Sequence, residues 1–384
     1  MNIVKKLRQY PIVFLFLAFL MGFAILDEFW PKREYSELEN RKLEQRPSFS
    51  IESVLAKDPT QTWMSKYDTY TKDQIAFRDS WIDLKSRMET LFLKTENNGV
   101  WLGKEHYLFA KFVSLGESTR FYQNMNAIQK LCERHPNMVD VMIVPSASLI
   151  LEEKLPFDVP VIDEDAYLDE LSACLTGLAT IYDERATLRS HKDEYIYYRT
   201  DHHWTDTGAY YAYSDYVSGQ GLTPVSHDSV PLVTVDDFYG TNYSKARTYN
   251  ALPDVITYPD FDNVLTVHNY DPAGNETTQE GPLYDTSAFD TRDKYKAFLR
   301  GNNGFSTIEG DGEGSILVVK DSYANSFIPY LTQNYKNIGI VDFRANNEKI
   351  DTILERGGYD RILILYSFQG FASDMYLAGR IAIA

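Results

Sequence analysis

The stretch Ser315–Ser326, SILVVKDSYANS, runs from a continuous apolar segment straight into a polar turn. An unbroken apolar run predicts a strand covered on both faces, where a half-exposed strand would alternate. NIGIVDFR (337–344) and RILILYS (361–367) repeat the pattern downstream, and VDVMIVP (139–145), ATIYDE (179–184) and EYIYYR (194–199) carry it upstream. Helical segments near 118–134 and 164–176, and FIPYLTQNY after the turn, separate these runs. Alternation of this kind predicts an α/β doubly wound domain, a mostly parallel sheet with helices on both faces.

The interval from about 221 to 306 breaks the alternation. It is rich in Pro, Asn, Asp and Gly and holds short β-like pieces, PLVTV, DVITY and NVLTVHNY. A β-rich insertion covering one end of the sheet is expected there, a common way to build a substrate cleft. Before the alternation begins, VWLGKEHYLFAKF (100–112) reads as a strand pair turning at Gly103-Lys104, and residues 31–95 read as a charged helical stalk that becomes a packing helix.

At the N-terminus Lys5, Lys6 and Arg8 precede the apolar run Tyr10–Leu26, with Asp27 and Glu28 after it. At ~1.5 Å per residue this run just crosses a hydrocarbon core if Phe29 and Trp30 anchor the far interface. The basic flank places the remaining chain outside the cytoplasm. The run is long for a signal peptide and lacks an A-x-A site, which favours an uncleaved signal-anchor over a cleaved leader. The expected organisation is residues 1–30 as cytoplasmic tail and transmembrane helix, 31–95 as stalk, and 96–384 as the α/β domain with its insertion.

Composition narrows the partners. A net charge of −17 argues against nucleic acid, because like charges repel. The 28 tyrosines and 21 phenylalanines supply core, and exposed rings of this kind suit sugar faces. The two cysteines, Cys132 and Cys174, read equally as one extracytoplasmic disulfide or two buried thiols.

In open α/β sheets reacting groups gather at the carboxyl ends of strands. Two such ends carry chemistry. After SILVVK, Ser322 stands beside backbone N–H groups that favour an oxyanion, although Ser322 or Asp321 could equally cap the following helix. After EYIYYR comes TDHHWTDTGAYY (200–211). Asp201 and His203 lie two apart, so in an extended or turning loop both project to one side, the carboxylate holding Nδ1 and aiming Nε2 outward. His202 projects the other way and is the weaker base. Thr205 or Asp206 is placed to cap the helix that follows. A polar turn with structural histidines is the plain alternative. A metal site is disfavoured, since no i, i+4 histidine spacing and no third ligand is evident. No G-x-S-x-G elbow occurs.

The DHHW and KDSYANS blocks together resemble the SGNH-hydrolase-like polysaccharide O-acetyltransferases, the alginate AlgX/AlgJ type. The chain is most similar to the branch named for its Asp-His-His-Trp motif, the DHHW family. SELENRKLEQRP (36–47), DQIAFRDSWIDLKSR (73–87), WLGKEHYLFA (101–110), DDFYGTNYSKA (236–246) and DKYKAFLRGNNG (293–304) support the resemblance. It implies an SGNH-hydrolase-like, flavodoxin-like fold with Ser322 as nucleophile, His203 as base and Asp201 as its orienting acid. Oxyanion donors would be the Ser322 N–H, with Asn302 and Arg344 as weaker candidates. Asn302 equally suits an ordinary turn and Arg344 an ion pair, and Tyr239 and Gly240 line the cleft or shape a turn. The implied activity is acetyl transfer to a cell-surface or secreted polysaccharide, with no bound cofactor, the acetyl group coming from a membrane-bound O-acyltransferase partner. The sequence ends soon after RILILYS, without the carbohydrate-binding domain of the AlgX type, so glycan contacts are expected from the insertion and the aromatic surface. A carbohydrate acetylesterase using the same three residues, and a non-catalytic glycan-binding or assembly protein, are the alternatives.

Overall fold

A computed structural model of the chain describes residues 10–270 and 275–382. The chain divides into two compact units, Met1–Leu93 with Arg247–Tyr249, and Lys94–Ala246 with Asn250–Ala384. The basic flank Lys5, Lys6 and Arg8 lies outside the described residues.

In the first unit, helix α1 (Pro11–Phe29) begins with a proline, whose missing N–H costs nothing in a first turn. It is the one helix among the described residues long and apolar enough to cross a membrane, and none of its residues is buried. Helices α2 (Trp63–Gln74) and α3 (Arg78–Leu91) follow. Ion pairs tie this segment together alongside ring contacts such as Trp63 stacked on Tyr67, centroids 4.8 Å apart. The Arg41 guanidinium donates to both oxygens of buried Asp73 at 2.9 and 2.5 Å, and Arg78 Nη2 donates to Glu39 at 2.9 Å.

The second unit is built on an eight-stranded sheet. Its helices include α4 (Arg120–Arg134), α5 (Glu164–Leu175), α6 (Asp206–Gly219), α7 (Thr241–Ala246), α8 (Ala324–Leu331) and α9 (Ile350–Gly357). Its sheet strands are β1 (Val139–Val144), β2 (Thr180–Ile181), β3 (Val264–Tyr270), β4 (Glu276–Pro282), β5 (Phe305–Glu309), β6 (Ser315–Lys320), β7 (Asn337–Val341) and β8 (Arg361–Ser367). The spatial order is β4-β3-β5-β7-β6-β8-β1-β2. From β7 to β2 all pairings are parallel; from β4 to β7 they are antiparallel. The chain leaves β6 for β7 on one side and returns to β8 on the other, so β6 is the switch point where such folds place their ligands.

Burial explains the unbroken apolar runs. Along β6, Leu317 and Val319 pack with residues of α4, α5 and α9, while Ile316 and Val318 pack on the opposite face with Tyr213 of α6 and Phe327 of α8. Each face is covered by helices, so neither set of side chains is free to be polar.

Two expectations change. EYIYYR (194–199) is not a sheet strand. Its backbone groups are taken by its own loop and by a buried carboxylate: Thr205 N–H donates to Ile196 O at 2.9 Å, Tyr198 N–H to His203 O at 3.2 Å, and Arg199 and Thr200 N–H to Asp254 at 2.8 and 2.7 Å. Its apolar character comes from tyrosine rings sunk in the core, with Tyr197 O–H donating to Pro145 O at 2.7 Å. The insertion does more than cover a sheet end. The segments Leu232–Phe238 and Asp254–Pro259 form a separate two-stranded ribbon, but β3 and β4 join through β5 as an antiparallel extension of the main sheet. The strand pair at 100–112 forms as Val100–Leu102 against Leu108–Ala110. Cys132 and Cys174 are free thiols, and burial pushes that of Cys132 up to about 11.

Asp140 of β1 is fully buried and accepts from Arg361 Nε and Nη2 of β8 at 2.8 and 2.6 Å, from Tyr216 O–H at 3.0 Å and from Gln220 at 2.9 Å. Asp140→Ala removes the acceptor shared by four donors, of which the Tyr216 hydroxyl is fully buried. Urea unfolding should show a loss of about 3 kcal/mol, and Tyr216→Phe a loss of about 1 kcal/mol.

Candidate active site

Ser322 follows β6, and the turn that presents it is held by its neighbour. Asp321 Oδ1 accepts the Tyr323 N–H at 2.9 Å, and Oδ2 accepts Ser367 N–H and O–H at 2.9 and 2.7 Å. Neither Asp321 nor Ser322 caps the helix that follows, whose N-cap position is Tyr323; Asp321 braces the turn, and the Ser322 hydroxyl is left for other work.

That hydroxyl lies 2.7 Å from His203 Nε2. His203 Nδ1 lies 2.5 Å from Asp201 Oδ1, which also accepts the His203 N–H at 3.0 Å. The other oxygen of Asp201 accepts Thr241 N–H at 2.7 Å and its hydroxyl at 3.1 Å. With both oxygens of the carboxylate occupied, Nδ1 carries the proton and Nε2 is left as an acceptor aimed at Ser322. The imidazole plane is fixed as well: Tyr295 stacks on it with centroids 3.9 Å apart and planes 12° from parallel, and its hydroxyl donates to Ser322 O at 3.3 Å.

The two turns are tied reciprocally. Trp204 Nε1 donates to Tyr323 O at 2.9 Å, and the Tyr323 hydroxyl donates to His202 O. Thr205 caps α6, accepting Gly208 N–H at 3.4 Å, whereas Asp206 points inward to the Tyr330 hydroxyl at 2.9 Å and His227 at 3.2 Å. Gly240 packs so closely that a Cβ there would lie 2.2 Å from Asp201 Cβ.

Electrostatics separates the two histidines. Burial would raise the Asp201 pKa, but the charges and hydrogen bonds of His202 and His203 outweigh it and hold the carboxyl well below the usual range. Burial pulls His202 down, and the Asp201 charge 3.5 Å away more than compensates, so its pKa sits above the ordinary imidazole value. For His203 burial comes first and the His202 charge second, and together they bring its pKa to about 4. At neutral pH His203 is therefore an unprotonated base. Asp201, His202 and His203 are also a group whose ligand atoms lie within 4.8 Å of one another, but His203 Nε2 is committed to Ser322 and His202 Nδ1 to the Thr241 hydroxyl at 2.7 Å.

The other sequence candidates sort differently. Asn302 Oδ1 accepts from Lys320 Nζ at 3.0 Å and Asn325 Nδ2 at 3.3 Å. A lysine can only donate, so the amide oxygen faces Lys320 and the NH2 end points away from it. Arg344 pairs with buried Asp342 through Nε at 2.8 Å and Nη2 at 2.5 Å. Tyr239 is half-buried against Tyr243, rings 4.6 Å apart, and its carbonyl accepts from Arg292. Sequence reasoning did not single out Thr241, Tyr295 or Lys320. Thr241 and Tyr295 lie inside the quoted blocks 236–246 and 293–304, but nothing in their spacing shows which ring or hydroxyl meets Asp201 and His203.

Gly240→Ala should displace Asp201 and slow sulfonyl fluoride labelling of Ser322 by about 100-fold or more, with the far-ultraviolet circular dichroism spectrum retained. The labelling rate follows the unprotonated fraction of His203. It should stay level as pH falls through 6.5 and drop only near 4, because the folded-state pKa lies below the ordinary value.

No protein with a curated description matches the chain. Among solved structures, a DHHW family protein from Eubacterium siraeum is similar at 20% identity and TM-score 0.60, covering 74% of this chain and 95% of its own. Bacillus cereus PatB1, solved with a sulfonyl adduct, is similar at 18% identity and TM-score 0.58, covering 73% and 97%. The O-acetyltransferase domain of Pseudomonas putida AlgJ gives a TM-score of 0.45 at 16% identity, covering 73% and 95%. The first two likenesses concern the fold. The family model of the DHHW protein matches residues 125–341, a span that holds the Asp-His-His-Trp loop and Ser322, and the chain belongs to the DHHW family.

Proposed function

We propose that this chain is a membrane-anchored, extracytoplasmic O-acetyltransferase of the SGNH-like type, which passes acetyl groups through Ser322 to hydroxyls of a cell-surface or secreted polysaccharide. The observation that carries the reading is the continuous path Ser322 Oγ, His203 Nε2, His203 Nδ1, Asp201, at 2.7 and 2.5 Å. The resemblance of the DHHW and KDSYANS blocks to polysaccharide O-acetyltransferases supports the choice of acyl group and acceptor.

In the first half-reaction His203 Nε2 takes the Ser322 proton while Oγ adds to the acetyl carbonyl of the donor. The negative charge gathers on the carbonyl oxygen, against the Ser322 N–H and the NH2 of Asn302. Collapse expels the donor's leaving group, which takes the proton from His203. In the second half, His203 removes the proton of a sugar hydroxyl as its oxygen adds to acetyl-Ser322, and returns it to Ser322 Oγ as that departs. Asp201 stays ionised throughout and stabilises the imidazolium that forms twice. Helix α1 would hold the α/β unit near a membrane-bound O-acyltransferase that delivers acetyl groups from the cytoplasm.

An acetylesterase differs only in that water attacks acetyl-Ser322, so the two readings part on one measurement. Given p-nitrophenyl acetate and an oligosaccharide, the purified chain should yield acetylated sugar by mass spectrometry. Release of acetate with no sugar product would make it an esterase. Ser322→Ala should abolish both, and His203→Gln should lower the rate by about 10³-fold or more. Glycan acetylation unchanged by Ser322→Ala in the producing cell would overturn the proposal.

A further inference from the structure

Helix α3 wears its apolar side outward. Trp81, Leu84, Met88 and Leu91, spaced by three and four, share one side of the helix, and Phe92 extends it past the last turn. At ~100° per residue these side chains span an arc of about 100°. All of them are between 43% and 74% exposed. The opposite side meets the rest of the first unit through polar groups. Ser86 is buried and accepts the Tyr249 N–H at 2.9 Å, and Asp83 pairs with Arg247 at 3.6 Å. A contiguous apolar stripe turned to solvent marks a surface that something else covers.

The stripe starts where α1 ends. Asp27 Oδ1 accepts the Ala76 N–H at 2.7 Å, Arg33 N–H donates to Gln74 Oε1 at 3.0 Å, and Gln74 Nε2 donates back to Arg33 O at 2.8 Å. Arg33 Nη1 donates to Asp79 Oδ2, in the first turn of α3, at 2.8 Å. The Trp30 ring packs on Phe77, the residue before α3, with centroids 4.2 Å apart. These contacts fix the first turn of α3 beside the end of a helix long and apolar enough to cross a membrane. Trp81 Nε1 donates to Ala76 O at 3.0 Å, so its polar edge is satisfied and its ring is left outward. Tryptophan and phenylalanine rings placed so suit the boundary between lipid headgroups and acyl chains.

Charge identifies the cover. The chain as a whole carries −17, yet both borders of the stripe are basic, Lys85 on one and Arg87 on the other. The acids of the helix, Asp79, Asp83 and Glu89, all lie more than about 100° from the centre of the stripe. Both basic side chains are exposed; Lys85 reaches Glu89 at 3.5 Å, and Arg87 lies over the Tyr249 ring at 4.5 Å. An apolar stripe bordered by long cations is the pattern of a helix lying in a membrane interface, its rings down and its charges level with lipid phosphates. A second copy of the same face would set these cations against one another.

We propose that α3 is an interfacial helix, its stripe from Trp81 to Phe92 sunk in the headgroup boundary of the bilayer that α1 crosses, with Lys85 and Arg87 paired to anionic phospholipid. The inference rests on the membrane-anchored reading above and adds a second hold to it. A single crossing leaves a chain free to swing about its point of exit. A helix of 14 residues laid along the surface, ~21 Å long, removes that freedom for the first unit.

The test uses the full chain in phospholipid vesicles, with a nitroxide on one cysteine at a time in a Cys132→Ser, Cys174→Ser background. The labelled variants are Leu84→Cys and Met88→Cys on the stripe, Asp83→Cys on the far side, and Leu17→Cys in α1. Oxygen concentrates in the bilayer and a nickel chelate stays in water, so their collision rates with the label read immersion. Labels at 84 and 88 should meet mainly oxygen and the label at 83 mainly nickel. Adding phosphatidylglycerol to phosphatidylcholine should lower nickel collision at 88 by about twofold or more, and Lys85→Glu with Arg87→Glu should remove that response. In the chain with its own cysteines, brominated phospholipid should quench a smaller share of the tryptophan fluorescence once Trp81→Phe is made. Labels at 84 and 88 as open to nickel as the one at 83 overturn the proposal, and so do labels immobilised and shielded from both reagents, which would mean that protein covers the stripe. Immersion without any response to phosphatidylglycerol overturns the pairing with anionic headgroups. The label at 17 judges the anchor separately. If it meets nickel, the membrane-anchored reading falls, and oxygen at 84 and 88 then sustains α3 as a surface-binding helix while nickel there rejects it.

Discussion

Two hydrogen bonds crossing between turns 119 residues apart organise everything else at this site: the Trp204 indole N–H to the Tyr323 carbonyl, and the Tyr323 hydroxyl to the His202 carbonyl. Each turn supplies one donor and one acceptor, so neither can shift without stranding a buried polar group of the other. Both rings are buried, Trp204 fully and Tyr323 at 3% exposure, which places these bonds where water cannot substitute for them. These two bonds hold the loop of His203 beside the turn of Ser322, alongside their direct contact at 2.7 Å. That is how a site assembled from sheet end and loop can hold tolerances of tenths of an ångström.

The same economy governs the charges. Asp201 is buried without a lysine or arginine among its bonded partners. It is kept ionised by two imidazoles and by the Thr241 N–H and hydroxyl. One of those imidazoles, His202, raises no proton of its own against Ser322 but depresses the pKa of its neighbour. The repeated histidine thus divides labour: His203 faces the Ser322 hydroxyl, and His202 holds the Asp201 side of the loop through Thr241 while biasing His203 toward the neutral form. On the far side of β6, Lys320 follows a similar logic. It is 1% exposed, and burial lowers its pKa to about 8 despite Asp342 nearby. Its ammonium sets which end of the Asn302 amide faces it.

Much of this was legible along the chain. Continuous apolar runs at 139–144, 315–320, 337–341 and 361–367 mark strands buried on two faces, and all four are sheet strands. The same rule misreads EYIYYR, because tyrosine is apolar enough to fill a core and polar enough to fix a loop. Period alone does not show whether backbone groups are taken by a neighbouring strand or by Asp254. It also passes over β4, whose residues ETTQEGP are exposed and polar, since an edge strand is held by its partner's backbone and not by a pattern of its own.

By itself the sequence determined the local terms: an apolar N-terminal helix, a doubly wound order, and an Asp-x-His spacing that singles out one histidine of two. These are short-range consequences of side-chain chemistry and chain geometry. Only the tertiary structure decided the long-range ones. It set Asp321 to brace the turn and left the Ser322 hydroxyl to His203, turned the Asn302 amide, stacked Tyr295 on His203, and pressed Gly240 against Asp201. Each of these depends on which residues distant in the chain meet at the end of β6. Such meetings are set by the closure of the whole sheet and its cover, and no local pattern encodes them.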